Sequence, residues 1–186
     1  MPPSSKFAGV DFSELPIEHL TSELTISGQG FRCLRGEFVT YWRQGRIQRD
    51  IDARISQCWI LRCEDSLAGY ITLLTDKLEL DEPVLLDEGV QYQSFPAIKI
   101  GLLAVDRRAK GAGRRLVEWA VEYVAAEISP TVGVRFMTLT HFTTRILLLP
   151  MTHLAFTKSL VFNLSILMSL YHHQCLIVQC ISISSH

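Results

Sequence analysis

The chain has 186 residues, 48% of them apolar, and its 18 basic and 19 acidic side chains leave a formal net charge of −1. That length accommodates one domain, or one domain and a tail, with a sizeable core. The charge balance excludes a polyanion binder acting through bulk charge and leaves only a local basic patch for such a role.

In chain order, residues 1–30 are polar and turn-rich, with Pro2, Pro3, Pro16, Gly28 and Gly30, and are expected as an N-terminal arm or an entry loop. Over residues 37–55, Phe38, Tyr41, Trp42, Ile47, Ile51 and Ile55 fall near helical spacing, and Gly45 is placed to divide the stretch into two helices. Arg43, Arg46, Arg49 and Arg54 occupy other faces. They are available to a nucleic acid such as tRNA, but no aromatic platform interleaves them, so a solvated face is the plainer reading. Residues 57–63 and 68–74 are β-rich and joined by Glu64-Asp65-Ser66, the pattern of a hairpin. The acidic stretch 76–89 reads as irregular, with Asp87 and Glu88 on a solvated loop. Phe95-Pro96 then leads into residues 97–105, an almost wholly apolar strand expected at the centre of a sheet. After a glycine-containing loop, Leu116, Val117, Ala120, Val121, Val124 and Ile128 define an amphipathic helix stopped at Ser129-Pro130. Residues 132–140 form a further buried strand. Strand, loop, helix and strand in that order make a βαβ unit, and the preceding hairpin makes the sheet mixed.

Five cysteines without a CxxC pair (Cys33, Cys58, Cys63, Cys175, Cys180) point to reduced thiols rather than a zinc site or a disulfide framework. Residues 1–6 lack the apolar core of a signal peptide, so a cytoplasmic protein is expected. Beyond Lys158 charge almost vanishes. The longer apolar runs, 160–170 and 176–183, are split by Tyr171-His172-His173-Gln174, and each is shorter than a membrane span. Buried strands are expected there, a membrane anchor is disfavoured, and His172-His173 lacks further ligands at metal-site spacing.

The segment that carries chemistry is Ile98-Lys-Ile-Gly-Leu-Leu-Ala-Val-Asp-Arg-Arg-Ala-Lys-Gly-Ala-Gly-Arg-Arg-Leu-Val117. A strand ends at Val105, a basic loop carries Gly111 and Gly113, and a helix begins at once. Backbone N–H groups at such a helix start favour anions, and glycine admits an oxygen-rich ligand close to the chain. Arg108, Lys110, Arg114 and Arg115 surround the loop with positive charge, which suits a pyrophosphate. A Walker A loop would end in Gly-Lys-Ser/Thr, and a Rossmann fingerprint would place glycine where Leu116 stands.

What remains, Arg108-Ala-Lys-Gly111-Ala-Gly113, resembles the acyl-CoA loop Arg/Gln-x-x-Gly-x-Gly/Ala of the GNAT acetyltransferase superfamily. Ala68-Gly-Tyr-Ile-Thr-Leu73 resembles that family's early hairpin, and Val132-Gly-Val-Arg-Phe-Met-Thr-Leu139 the strand after its loop helix. Phe95-Pro-Ala-Ile-Lys-Ile-Gly-Leu-Leu-Ala-Val-Asp106 resembles the central strand of GNAT toxins from bacterial toxin–antitoxin pairs. The resemblance implies an α/β (α+β) fold with a mixed, mostly antiparallel sheet and helices on both faces. It divides the chain into an arm (1–30), an acyl-CoA-binding core (31–140) and a divergent apolar C-terminal region (141–186). It implies acetyl-CoA as co-substrate and no metal, a primary amine as acceptor with the aminoacyl group of a charged tRNA as one choice, and an antitoxin or a second copy of the chain as protein partners. The residues it assigns to the cofactor are Leu103, Ala104, Val105, Arg108, Ala109, Lys110, Gly111, Ala112, Gly113 and Arg114, the first three beside the pantetheine arm and the thioester.

One family motif is altered. Ala155-Phe-Thr-Lys-Ser-Leu-Val-Phe162 stands where Phe-Tyr-x-x-x-Gly-Phe is expected, with Thr157 at the tyrosine that protonates the CoA thiolate and Val161 at the glycine. An aliphatic hydroxyl is a far weaker acid than a phenol of pKa about 10. Residues 98–105 project no carboxylate, so no general base is nominated. His141, at the end of a strand near the expected site, serves capping or packing as readily as acid–base work. A binding protein that keeps the loop without turnover is therefore the second reading.

Overall fold

The computed structural model describes residues 6–24, 26, 28–85, 89, 91–141 and 144–150. The altered motif around Thr157, the histidine pair and the apolar runs beyond 150 lie outside these residues, as do Asp87 and Glu88. Within them, six strands lie side by side in chain order: β1 (Ile17–His19), β2 (Gln57–Cys63), β3 (Ser66–Leu85), β4 (Gln91–Val105), β5 (Phe136–His141) and β6 (Thr144–Pro150). Every neighbouring pair is antiparallel except β4 and β5, which run parallel and are joined by helix α3 (Ala112–Tyr123). Strand β4 is central, as its apolar run predicts.

The βαβ unit follows from the residues around the loop. Leu116, Ala120, Val121 and Val124 carry the apolar stripe of α3 onto Trp59, Leu61, Ile71, Ile98, Ile100 and Met137 of the sheet. The helix passes into a π turn at Val124–Ile128 before Pro130, the stop read from Ser129-Pro130. On the opposite face lie α1 (Gly36–Arg43) and α2 (Arg46–Asp52), whose Phe38, Trp42 and Ile47 pack on Cys58, Ile60, Tyr70 and Ala104. Gly45 divides the two helices in a left-handed conformation, φ +64°, which a glycine adopts without a Cβ penalty. Buried Tyr70 donates its hydroxyl to the Phe38 carbonyl at 2.9 Å and ties α1 to the sheet. Helices therefore cover both faces. Among the described residues no helix is long and apolar enough to cross a membrane.

Three expectations change. The start of the chain does not stand off as an arm: Phe7 and Phe12 are buried in the α3-side core and β1 pairs with β2. Single aromatics in a polar stretch carry no periodicity, yet each removes a large apolar area from water. The acidic stretch after Asp76 is not irregular, because β3 continues to Leu85 against β4. There Asp76 and Leu78 are half-buried while Lys77 and Glu79 are exposed, the alternation of a strand with one wet face. Strand β5 starts at Phe136 rather than at residue 132, since Val132 is exposed and Gly133 turns the chain at φ +41°.

Candidate functional site

The site begins where β4 loses its regular pairing. Ile71 pairs with Leu103 and Leu73 with Ile100, so Gly101 and Leu102 together face the single residue Thr72. This is a β-bulge, which bends the strand that carries the extra residue. On the other side of β4, pairing with β5 covers Ala97 to Ile100 and ends there. Beyond the bulge, Gly101–Val105 keeps β3 as its neighbour but has no strand partner on the β5 side among the described residues. The parallel pairing stops at Ile100, and the β5-side edge of Gly101–Val105 is left open among the described residues.

The backbone groups on that open edge can be read from two hydrogen bonds. The Leu102 amide donates to Thr72 Oγ1 at 2.8 Å and the Asp106 amide to the Ala68 carbonyl at 2.8 Å, both toward β3. Amides alternate sides along a strand, so Ala104 also faces β3 while Leu103 and Val105 present N–H and C=O to the open side. The Ala104 carbonyl agrees: it lies 2.9 Å from where a Cβ on Gly69 of β3 would stand. Of the three strand residues expected at the cofactor, two therefore offer free backbone and Ala104 supplies the sheet.

Asp106 turns the chain out of β4 and builds the loop. Its carboxylate, fully buried, accepts hydrogen bonds from the Arg32 amide (2.9 Å), the Arg108 amide (3.0 Å), Arg108 Nε (2.8 Å) and Arg108 Nη2 (2.7 Å). Burial works against its charge, but the hydrogen bonds from the Arg108 side chain and the Arg108 and Arg32 amides, with the Arg108 charge, hold the carboxyl below its usual range. Arg108 Nη2 also donates to the Gly30 carbonyl at 2.6 Å, and its guanidinium lies 5.8 Å from the Phe7 ring centroid. The charge expected over the loop is thus spent internally: Arg108 fastens the loop to residues 30–32. Asp106 is the residue that sequence reasoning missed. Its signal was present, since an Asp at a strand end commonly accepts the amide two residues on.

The loop amides fall into two sets. Ala109 donates to the Asp106 carbonyl and Ala112 to the Ala109 carbonyl, which uses both in turns. The amides of Lys110, Gly111, Gly113 and Arg114 make no hydrogen bond among the described residues, and no side chain caps the helix start at Gly111. Gly111 sits at φ +96° with open space where a Cβ would lie, and a Cβ on Gly113 would meet Val105 Cγ2 at 3.3 Å. Of these residues Lys110, Gly111 and Arg114, with Arg115 and Glu118, line one side of a cleft whose other side is Val10, Asp11, Phe12 and Ser13, while Gly113 is buried. Arg114 is paired with Glu118 at 2.7 Å, while Lys110 is exposed. Unpaired amides at a helix N-terminus that follows a strand with two outward-facing backbone residues suit an anionic group followed by an extended amide-bearing chain, which is the chemistry of coenzyme A.

The arginines of α1 and α2 stand apart from this loop: Arg46 lies 5.7 Å from the Tyr41 ring centroid and Arg49 Nη2 donates to the Gln44 carbonyl at 2.8 Å. His141 ends β5, as expected.

No protein-family model matches the chain, and no curated protein sequence does either. Solved structures do. AtaT complexed with acetyl-methionyl-tRNAfMet shares 24% identity over 69% of this chain and 79% of that one, with a TM-score of 0.59. A tyrosine-to-phenylalanine mutant of KacT shares 24% identity over 67% and 76%, with a TM-score of 0.58. A tyrosine-to-phenylalanine mutant of the AtaT toxin, bound to the C-terminus of the antitoxin AtaR and acetyl-CoA, shares 25% identity over 69% and 76%, with a TM-score of 0.57. The mixed sheet flanked by helices that this sequence builds is the fold of the GNAT toxins of toxin–antitoxin pairs.

Proposed function

We propose that the chain transfers an acetyl group from acetyl-CoA to a primary amine, with the aminoacyl group of a charged tRNA as the acceptor class. The observation that carries this reading is the end of the β4–β5 pairing at Ile100, upstream of a loop in which four amides make no hydrogen bond among the described residues. In this reading Lys110, Gly111, Gly113 and Arg114 hold the diphosphate, and Leu103 and Val105 hold the pantetheine arm. The amine lone pair attacks the thioester carbonyl, the Leu103 N–H receives the developing oxyanion, and the C–S bond then breaks to release the thiolate. One proton leaves the amine and one reaches the thiolate. The acetyl-CoA and acetylated-tRNA complexes of AtaT support these ligand classes, and its complex with AtaR supports an antitoxin partner.

Calorimetry with acetyl-CoA, followed by a thiol-release assay against simple amines and charged tRNAs, tests the proposal. Binding with release is expected, strongest with a charged tRNA. No acetyl-CoA binding would refute the site. Binding without release against any acceptor would support the second reading, a non-catalytic acyl-CoA-binding protein, which Thr157 at the place of the family tyrosine favours.

A further inference from the structure

Opposite the bulge in β4 stands one residue of β3, Thr72. It is buried, and its Oγ1 accepts the Leu102 amide at 2.8 Å. In a regular ladder that amide would find a strand carbonyl; here a side chain takes its place. The bulge is fitted to that contact. A Cβ on Gly101 would lie 2.9 Å from Thr72 Oγ1 and 2.6 Å from Leu74 Cδ2, so only glycine lets the strand bend there without displacing both. A partly buried amide left without an acceptor loses its water without replacement, which gives the hydroxyl a direct hold on the bend.

We propose that Thr72 is a positioning residue for the acyl donor: by holding the Leu102 N–H toward β3 it sets which backbone groups of β4 face the open edge. The alternation of a strand makes this a parity device. While Leu102 is held toward β3, Leu103 and Val105 face outward; a one-residue slip of the bulge would turn Ala104 outward and withdraw the Leu103 N–H. The phosphate loop is fastened independently, by Asp106 and Arg108, so Thr72 acts on the pantetheine and thioester end alone. This inference rests on the acetyl-transfer reading above.

The test uses the full chain, Thr72→Val and Thr72→Ser, with two probes: acetyl-CoA, and adenosine 3′,5′-bisphosphate, which presents phosphates but no pantetheine. Thr72→Val is expected to bind acetyl-CoA about tenfold more weakly, the scale of one net hydrogen bond. It should bind the bisphosphate as the unaltered chain does, and Thr72→Ser should resemble the unaltered chain with both probes. In the absence of ligand, the Leu102 amide should exchange with solvent slowly in the unaltered chain and in Thr72→Ser, and fast in Thr72→Val. Where Thr72→Val does not fold, Thr72→Ala takes its place in the same comparison. Unchanged acetyl-CoA affinity in the valine variant, equal weakening of both probes, or a serine variant as impaired as the valine one would overturn the role of Thr72. Failure of the unaltered chain to bind acetyl-CoA would instead refute the acetyl-transfer reading, and the exchange of Leu102 would still decide whether the hydroxyl holds the bend.

Discussion

Replacing Asp106 by asparagine removes the charge of a carboxylate that is fully buried and accepts four hydrogen bonds, three of them from Arg108. Asparagine keeps the volume but offers one oxygen for two, and its NH2 must face donors. Breaking a buried pair by removing one partner costs about 3–5 kcal/mol. Here Arg108 retains 25% exposure and a second acceptor in the Gly30 carbonyl, so part of its charge is recovered by water. A loss of about 2–4 kcal/mol is therefore expected at neutral pH. The pH dependence carries a sign that distinguishes this cause from a packing defect. The folded-state pKa of Asp106 lies below its ordinary 3.8, so its contribution is complete above that value and is lost as pH falls through the lower folded-state value. Urea unfolding of the full chain and of Asp106→Asn, followed by circular dichroism, should show a gap that is constant from neutral pH down to about 4 and closes in stronger acid. A gap under about 0.5 kcal/mol at neutral pH, or one that persists undiminished in strong acid, would refute the assigned role.

Three further substitutions and treatments probe other parts of the structure. Gly113→Asp should weaken acetyl-CoA binding in calorimetry by at least tenfold, because its Cβ would press on Val105 Cγ2 at 3.3 Å and its carboxylate would displace the helix start that carries the unpaired amides; retained affinity would remove the loop from the site. Gly69→Ala should lower stability by about 1–3 kcal/mol in thermal unfolding, since its Cβ would lie 2.9 Å from the Ala104 carbonyl and 3.0 Å from Leu116 Cδ1. Cys58 is buried and burial pushes its thiol pKa up, so it should resist alkylation at neutral pH in the native chain and react once the chain is unfolded.

The parts legible in the sequence are those whose cause is local. The apolar run of 97–105 announces a strand buried on both faces, Gly45 announces a break between helices, and the stripe from Leu116 to Val124 announces the side that α3 turns to the sheet. The loop was readable for the same reason, since its glycines and flanking elements are contiguous. What escaped depends on a partner elsewhere in the chain. The charges between Asp76 and Glu79 suggest a loop until the pairing of Lys77 with Pro96 and Glu79 with Ser94 supplies the ladder that overrides them. Arg108 reads as a ligand for phosphate until Asp106 and Gly30 are brought to its guanidinium. The bulge at Gly101 and Leu102 exists only in the register of β4 against β3, which no single stretch of sequence encodes.

The parallel contact between β4 and β5 also bears on how the molecule assembles. β2, β3 and β4 are consecutive antiparallel neighbours and can zip from their turns, whereas β5 reaches β4 only after the intervening helix has been laid across the sheet. Non-local pairings of this kind close late, because chain entropy is lost before the contact repays it. The β4–β5 contact is therefore among the last features to exist on the folding route, and a nascent or partly folded chain would hold its meander before that contact is made.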